Sequence, residues 1–369
     1  MLHTFTRRAF RPAIPTNFQS ARLSAIAKAK KRSFATAEAI PHIVENNTVP
    51  FYVPTVNITS FLANPTSAES KNIISEVRAA CISTGFFQIT GHGIPRSLQK
   101  SIFDAAAAFF KLPYEEKKKL DAKTTVGHRG YDVLASQAYE EDVMPDLKEG
   151  FYIGTEIPLS DPRALSRRFY MGPNVWPPES LLPSSAFRNP AEAYYRAIYN
   201  LSLTVLDIIA HTLPYGPHIF DEFTSNQPAA PLRLLHYPPS QKTEKRQLGA
   251  SAHTDFGAIT LLLQDGNPGL EVLDMNTEEW VPIPPTPDAF VVNVGDMLSK
   301  WTRNEYKSSV HRVLNKNPID RYSVVFFFDG NLDCPLGPLD GSKDEGEFLT
   351  VEKHMIKRMT ESYGKGKSS

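Results

Sequence analysis

The chain has 369 residues, 41% hydrophobic and 22% charged, with 40 basic and 40 acidic side chains. No apolar run approaches the roughly 18 residues of a membrane-spanning helix, so a helical membrane protein is excluded. Cys81 and Cys334 stand alone in sequence, which excludes a disulfide framework or a cysteine-rich metal site and suits a reducing compartment.

Charge is unevenly spread. Residues 1–37 lack Asp and Glu but carry Arg7, Arg8, Arg11, Arg22, Lys28, Lys30, Lys31 and Arg32. Acid depletion with abundant Ser, Thr and Ala is the composition of a mitochondrial presequence. In KKRSFATAEA, Arg32 lies two residues before Phe34, which suggests cleavage before Ala35, with 1–34 as presequence and 35–50 as linker. The matrix is the expected location; a basic tail on a cytoplasmic protein is the alternative. Without that segment 32 basic residues face 40 acidic ones, so no nucleic-acid partner is expected. No membrane partner is expected, and the chain is expected to act as a monomer.

In chain order, FYVPTVNI (51–58) reads as an edge strand, since Pro54 lacks an N–H. Residues 67–82 space Ile73, Ile74, Val77, Ala80 and Cys81 along one helical face. GFFQITGHG (85–93) is a strand entering a glycine turn, 97–111 a helix stopped by Pro113, and 114–120 a short charged helix. Residues 121–190 predict irregular loops around one strand, LKEGFYIG (147–154). A long helix spans 189–213, with Asn189 as its cap and Pro190 in its first turn.

From 231 the pattern changes to short strands: PLRLLHY, AITLLLQ, GLEVLD, EWVPI, AFVVNVGDML, SVHRVLN and RYSVVFFFD. DGNPG (265–269) marks a hairpin turn, and 350–363 suits a last helix. Even spacing of short strands predicts a β-sandwich or jelly roll. The fold class is mainly β (α+β), a jelly-roll core flanked by N-terminal helices and a C-terminal helix. The expected divisions are 51–225 for the N-terminal helical region, 226–335 for the core and 336–369 for the C-terminal helix and tail.

The chemistry centres on SAHTDFGAITLLLQD. In a strand, residues two apart share a face, so His253 and Asp255 converge just before an apolar run. Buried charge needs a partner or a metal. His311, in KSSVHRVLN, is the candidate third ligand. Two imidazoles and one carboxylate with open positions form the facial triad of non-haem Fe(II) enzymes, whereas structural zinc takes four protein ligands. His-x-Asp alone is a weak signal. RYS, ten residues past His311, strengthens it: Arg321, Ser323, Val325 and Phe327 share a face, and a guanidinium pointing into a barrel needs an anion.

AHTDFGAITLLLQD, VVNVGDMLSKWTRNEYKSSVHRV and RYSVVFFFD resemble the iron/2-oxoglutarate dioxygenases of the isopenicillin N synthase-like superfamily, and FQITGHGIP with FFKLPYEEK resembles that family's N-terminal region. The resemblance covers about residues 50–335. It implies a double-stranded β-helix core and Fe(II) at His253, Asp255 and His311. It implies 2-oxoglutarate chelating the iron and bound by Arg321 with Ser323, with Tyr237 nearby. It implies O2 as oxidant, decarboxylation to succinate and CO2, and ascorbate as reductant. Plant relatives often carry Asn-Tyr-Tyr-Pro where this chain has Leu235-His236-Tyr237-Pro238, and LRLLHYP resembles fungal members, including pyrimidine-base hydroxylases. His236 faces away from Tyr237 and reads as structural. Arg233, Phe256 and Phe327 are the candidate substrate-pocket residues, able to hold a flat polar ring by stacking and hydrogen bonds. The substrate is expected to be a small molecule, a nitrogen heterocycle by this reasoning, with hydroxylation as the outcome. Desaturation or ring formation in secondary metabolism is the alternative. An oxidase without 2-oxoglutarate, a non-catalytic binder and a zinc hydrolase are the rivals.

Overall fold

The structure is a computed structural model that describes residues 50–135, 144–239, 248–314, 318–342 and 348–364. The expected presequence and nearly all of the linker lie outside these residues. The described residues belong to one unit, Thr48–Ser369.

The N-terminal part runs β1 (Thr55–Asn57), α1 (Thr59–Ala63), α2 (Ala68–Ser83), β2 (Phe86–Thr90), α3 (Arg96–Phe110), α4 (Tyr114–Lys118), β3 (Gly130–Asp132), β4 (Glu149–Ile153), α5 (Pro162–Leu165), α6 (Arg188–Thr212) and α7 (Asp221–Thr224). The core adds β5 (Leu232–Tyr237), β6 (Ala250–His253), β7 (Ile259–Gln264), β8 (Leu270–Asp274), β9 (Glu279–Pro282), β10 (Phe290–Val294), α8 (Asp296–Trp301), β11 (His311–Val313) and β12 (Arg321–Phe328), and α9 (Val351–Gly364) closes the chain.

Two sheets form. The larger has the order β1-β2-β10-β7-β12-β5-β4-β3 and the smaller β6-β11-β8-β9. All pairs are antiparallel except β1 with β2. Residue alternation explains the layers. On β12, Val324, Phe326 and Phe328 join Leu232 and Leu234 of β5 in the core shared with α2, α3 and α6. The alternate residues face the smaller sheet: Leu235, Tyr237 and Val325 pack with Ala250 and Val313, with Phe327 against them. That second face lines the functional cavity. Strands buried on both faces read as nearly continuous apolar runs, which is why RYSVVFFF lacks a polar alternation after Ser323.

Several elements differ from expectation. Strand β1 begins at Thr55, so Pro54 lies just outside it, where its carbonyl accepts from Gln88 N–H at 2.7 Å. Helix α6 begins at Arg188, and its cap position is Phe187, with no side-chain cap bond. Asn189 is therefore already inside the helix and does not cap it; Pro190 does fall in the first turn, where its missing N–H costs nothing. Strand β6 ends at His253, so Asp255 stands in the connection to β7 rather than on the same strand. GDML is not strand: β10 stops at Val294 and α8 starts at Asp296. The 121–190 region is less irregular than expected, since it contains β3 and α5 as well as β4.

Candidate metal centre and its cavity

Antiparallel pairing of β6 with β11 sets His253 directly opposite His311. Their ring centroids stand 4.4 Å apart. The connection after β6 swings Asp255 Oδ1 to 3.8 Å from both Nε2 atoms. One ligand atom from each of the three residues lies within 4.8 Å of the others, the only such group among the described residues.

The surroundings orient these donors. His253 Nδ1 donates to Ser251 O at 2.7 Å and His311 Nδ1 to Ser309 O at 3.2 Å. With Nδ1 protonated, each Nε2 carries a lone pair aimed at the shared space. Asp255 Oδ2 accepts from Thr260 Oγ1 at 2.6 Å and Asn293 Nδ2 at 2.8 Å, which leaves Oδ1 for the centre. Burial would raise Asp255, but the two imidazoles and these donors outweigh it and hold the carboxyl below its ordinary range. Burial, reinforced by His311, pushes His253 down to about 4. Both residues are thus in the states that bind a cation: a neutral imidazole and an ionised carboxylate. Two nitrogens and one oxygen from one side suit a divalent metal with open positions.

Behind the centre, Arg321 is 1% exposed. Its Nε donates to Asn267 O at 3.1 Å and its Nη2 to Gln264 Oε1 at 3.1 Å, while Nη1 is buried with no partner among the described residues. No carboxylate among the described residues pairs with it. Its guanidinium stands 4.9 Å from the Tyr237 ring centroid, and Ser323 Oγ lies 3.4 Å from Tyr237 Oη. A buried guanidinium with a spare donor beside two hydroxyls fits a dicarboxylate.

Two cavities meet at the triad. The inner one, about 70 Å³, is lined by His253, Asp255, His311, Arg321, Ser323 and Tyr237 among others. The outer one, about 90 Å³, brings Arg233, Phe256 and Phe327 together with Tyr152, Tyr170 and Asp329. Lys148, Arg233, His253, Asp255 and Phe327 border both. Every candidate residue from the sequence therefore lies on one of these two walls. Arg233 Nη2 donates to Asp132 Oδ2, and its guanidinium lies 4.8 Å from the Tyr152 ring centroid. His236 points away, bonded to Glu149 and Asp320 and stacked on Tyr322.

Sequence reasoning missed Thr260 and Asn293, since each sits in an ordinary apolar strand. It missed Lys148, although LKEGFYIG was recognised as a strand, and Asp329, which continues the Arg321–Phe327 alternation by one step. It also missed Met355 and Met359 of α9, which close the outer cavity. A helix face reveals nothing of what it covers.

Comparison with known proteins adds the family. Residues 53–179 match the family described as the N-terminal region of the non-haem dioxygenase in morphine synthesis, and residues 228–330 match the 2OG-Fe(II) oxygenase superfamily. The 2-oxoglutarate-dependent dioxygenase citB of Monascus ruber is 59% identical over 319 residues, 85% of this chain and 96% of that protein. Clavatol oxidase claD of Penicillium crustosum is 52% identical over 329 residues, 85% of this chain and 97% of the relative. Among solved structures, a full-length Neurospora crassa protein in complex with alpha-KG superposes with a TM-score of 0.72 at 26% identity, over 84% of this chain and 96% of that one. The same Neurospora protein has been solved with alpha-KG and thymine.

Proposed function

The chain belongs to the 2OG-Fe(II) oxygenase superfamily, and from that premise we propose that it hydroxylates a small, flat, ring-bearing molecule held in the outer cavity. It is a 2-oxoglutarate-dependent dioxygenase, an oxidoreductase that uses Fe(II) and 2-oxoglutarate to oxidise a small molecule. The observation that carries the substrate reading is the outer cavity itself, where the rings of Tyr152, Tyr170, Phe256 and Phe327 and the guanidinium of Arg233 border the metal-binding His253 and Asp255. Rings grip a flat molecule by stacking, and the guanidinium gives one polar edge a donor.

Each residue then has a role. His253, Asp255 and His311 hold the metal from one side. Ser251 O, Ser309 O, Asn293 and Thr260 fix the direction of those three donors. Arg321 Nη1 and Ser323 bind the far carboxylate of the co-substrate, and Tyr237 packs beside them. Bound iron and 2-oxoglutarate supply O2 activation coupled to decarboxylation, giving succinate and CO2 and delivering one oxygen atom to a C–H bond of the substrate. Arg233, Phe256 and Phe327 hold that bond towards the open side of the metal, and α9 keeps bulk water out.

Two relatives motivate substrate families: clavatol oxidase claD suggests clavatol or a similar compound, and the Neurospora protein solved with thymine suggests a pyrimidine. The test supplies the full chain with Fe(II), ascorbate, O2 and 2-oxoglutarate and follows succinate, first alone and then with clavatol or thymine. Succinate release that vanishes in His253→Ala and rises with a ring compound is expected. Mass spectrometry of the product separates hydroxylation from desaturation. If Arg233→Met left the response to the ring compound unaltered, the assignment of the outer cavity would fail. Residues 1–34 direct the chain to the mitochondrial matrix in this reading, motivated by their acid-free basic composition. A fluorescent protein fused behind them should then enter mitochondria, and diffuse cytosolic signal would refute it.

A further inference from the structure

Asp329 has no structural use for its carboxyl group. The residue is 1% exposed, and neither carboxylate oxygen has a hydrogen-bond partner among the described residues. Its backbone N–H is employed: it donates to Ala229 O at 2.9 Å, beside the bridge between Ala229 and Gly330. A buried polar side chain without a partner destabilises the fold, so this carboxyl is explained by a ligand or not at all.

Its position says which ligand. Arg321, Ser323, Val325 and Phe327 follow one face of β12, and Asp329 stands one step further along the same alternation. The order along that face is co-substrate residues, then Val325 opposite Arg233, then Phe327, then Asp329. Asp329 thus lines the outer cavity, and it takes no part in the inner one. Room for it is made by Gly257, two residues beyond the metal carboxylate: a Cβ at Gly257 would collide with Asp329 Oδ1. Burial, with the nearby Asp255 charge adding to it, raises this carboxyl to about 8.

We propose that Asp329 is a specificity-determining residue that accepts a hydrogen bond from an O–H or N–H on the ring of the substrate. Resting on the substrate reading above, this narrows the class to ring compounds with a hydrogen-bond donor on the edge facing β12, such as phenols or lactams. Lys148 and Arg233 border the same cavity but are paired with Asp146 and Asp132, whereas Asp329 keeps both oxygens without a partner among the described residues. The acceptor role holds for either protonation state of the carboxyl.

The experiment is calorimetric titration of matched probes into the full chain, once metal-free and once loaded with Fe(II) and 2-oxoglutarate without oxygen. The probes are thymine against 1,3-dimethylthymine, and 2-methylphenol against 2-methylanisole. In at least one pair the donor-bearing member is expected to bind the natural chain at least about tenfold more tightly. In Asp329→Leu that ratio should fall to about twofold or less, and Asp329→Asn, whose amide oxygen still accepts, should keep part of it. The melting temperature of Asp329→Leu should equal or exceed that of the natural chain, because an unpartnered buried polar group has been removed. A ratio unchanged in Asp329→Leu would overturn the proposal, as would no donor preference in the natural chain. So would melting temperatures lowered in both variants, which would mark a structural role. The metal-free arm separates this inference from the dioxygenase reading, which stands or falls on succinate release.

Discussion

At the scale of single residues, the centre is built as much by the atoms that aim the ligands as by the ligands. Asp255 uses one oxygen for Thr260 and Asn293 and presents the other. Removing Asn293 frees the carboxylate to rotate. Asn293→Ala is expected to weaken Fe(II) binding by about 10- to 100-fold, as loss of such outer partners commonly does, and a competition titration of the metal would show it. Arg321 presents a different case. Its two occupied nitrogens hold the guanidinium still, and its third has no partner among the described residues. Truncating a buried charge partner costs far more than trimming a weak hydrogen bond. Arg321→Met should raise the KM for 2-oxoglutarate by well over about tenfold. Tyr237→Phe, which loses only the 3.4 Å contact to Ser323, should change it by less than about tenfold. Equal effects would refute the assigned division of labour.

At the scale of elements, α9 decides how the outer cavity is closed. It is pinned by His354 Nε2 to Phe256 O at 3.0 Å, by Arg358 Nη2 to Thr254 Oγ1 at 2.9 Å, and by the ion pair of Arg358 Nε with Asp296 Oδ2 at 3.0 Å. The Arg358 guanidinium also lies 4.6 Å from the Phe256 ring centroid. Two of these anchors grip Thr254 and Phe256, the neighbours of Asp255 in sequence. Deleting the chain from Val351 should therefore raise the KM for a ring substrate while the KM for 2-oxoglutarate, bound on β12, changes little. Equal rises in both would refute this role of α9 at the outer cavity. The helix also carries a pH dependence. Burial, with Lys300 adding to it, pushes His354 from the ordinary 6.5 down to about 4. Lys300 Nζ donates to its Nδ1 at 3.1 Å, while Asp296 and Arg358 also act on it. The released helix takes up a proton near 6.5 that the docked one refuses, so docking is firm above 6.5 and weakens as pH falls from there to about 4. Proteolysis within α9 should accelerate over that window in the natural chain. In His354→Leu the acceleration should be smaller.

At the scale of the whole molecule, the site exists because two sheets face each other. The smaller sheet brings His253 and His311, and the larger brings Arg321, Ser323, Tyr237 and Arg233. Ligands bridging the two should bind the folded chain only, so Fe(II) with 2-oxoglutarate should raise the melting temperature by mass action. That gain should vanish in His253→Ala, and its persistence there would mean that the metal binds elsewhere.

Much of this was legible in the chain alone, for a physical reason. Strand alternation is local, so Arg321, Ser323 and Phe327 could be assigned to one face, and Arg233 and Tyr237 to another, from spacing of two. Helical periodicity marked 67–82 and 97–111 in the same way, and apolar continuity marked strands buried on both sides. His253, Asp255 and His311 were legible as donor types, and their resemblance to a known motif grouped them. Their convergence was not. Asp255 leaves the strand that was expected to hold it, and it meets His311 only through the register of β11 on β6. Likewise the helix at 350–363 was foreseen, but not that Met355 and Met359 wall the cavity. Asp329 reads as one more polar residue at the end of a strand until its neighbours are known. Local periodicity assigns a side chain to a face. Only long-range pairing decides what that face meets, which donors are left without partners, and hence where a ligand is required.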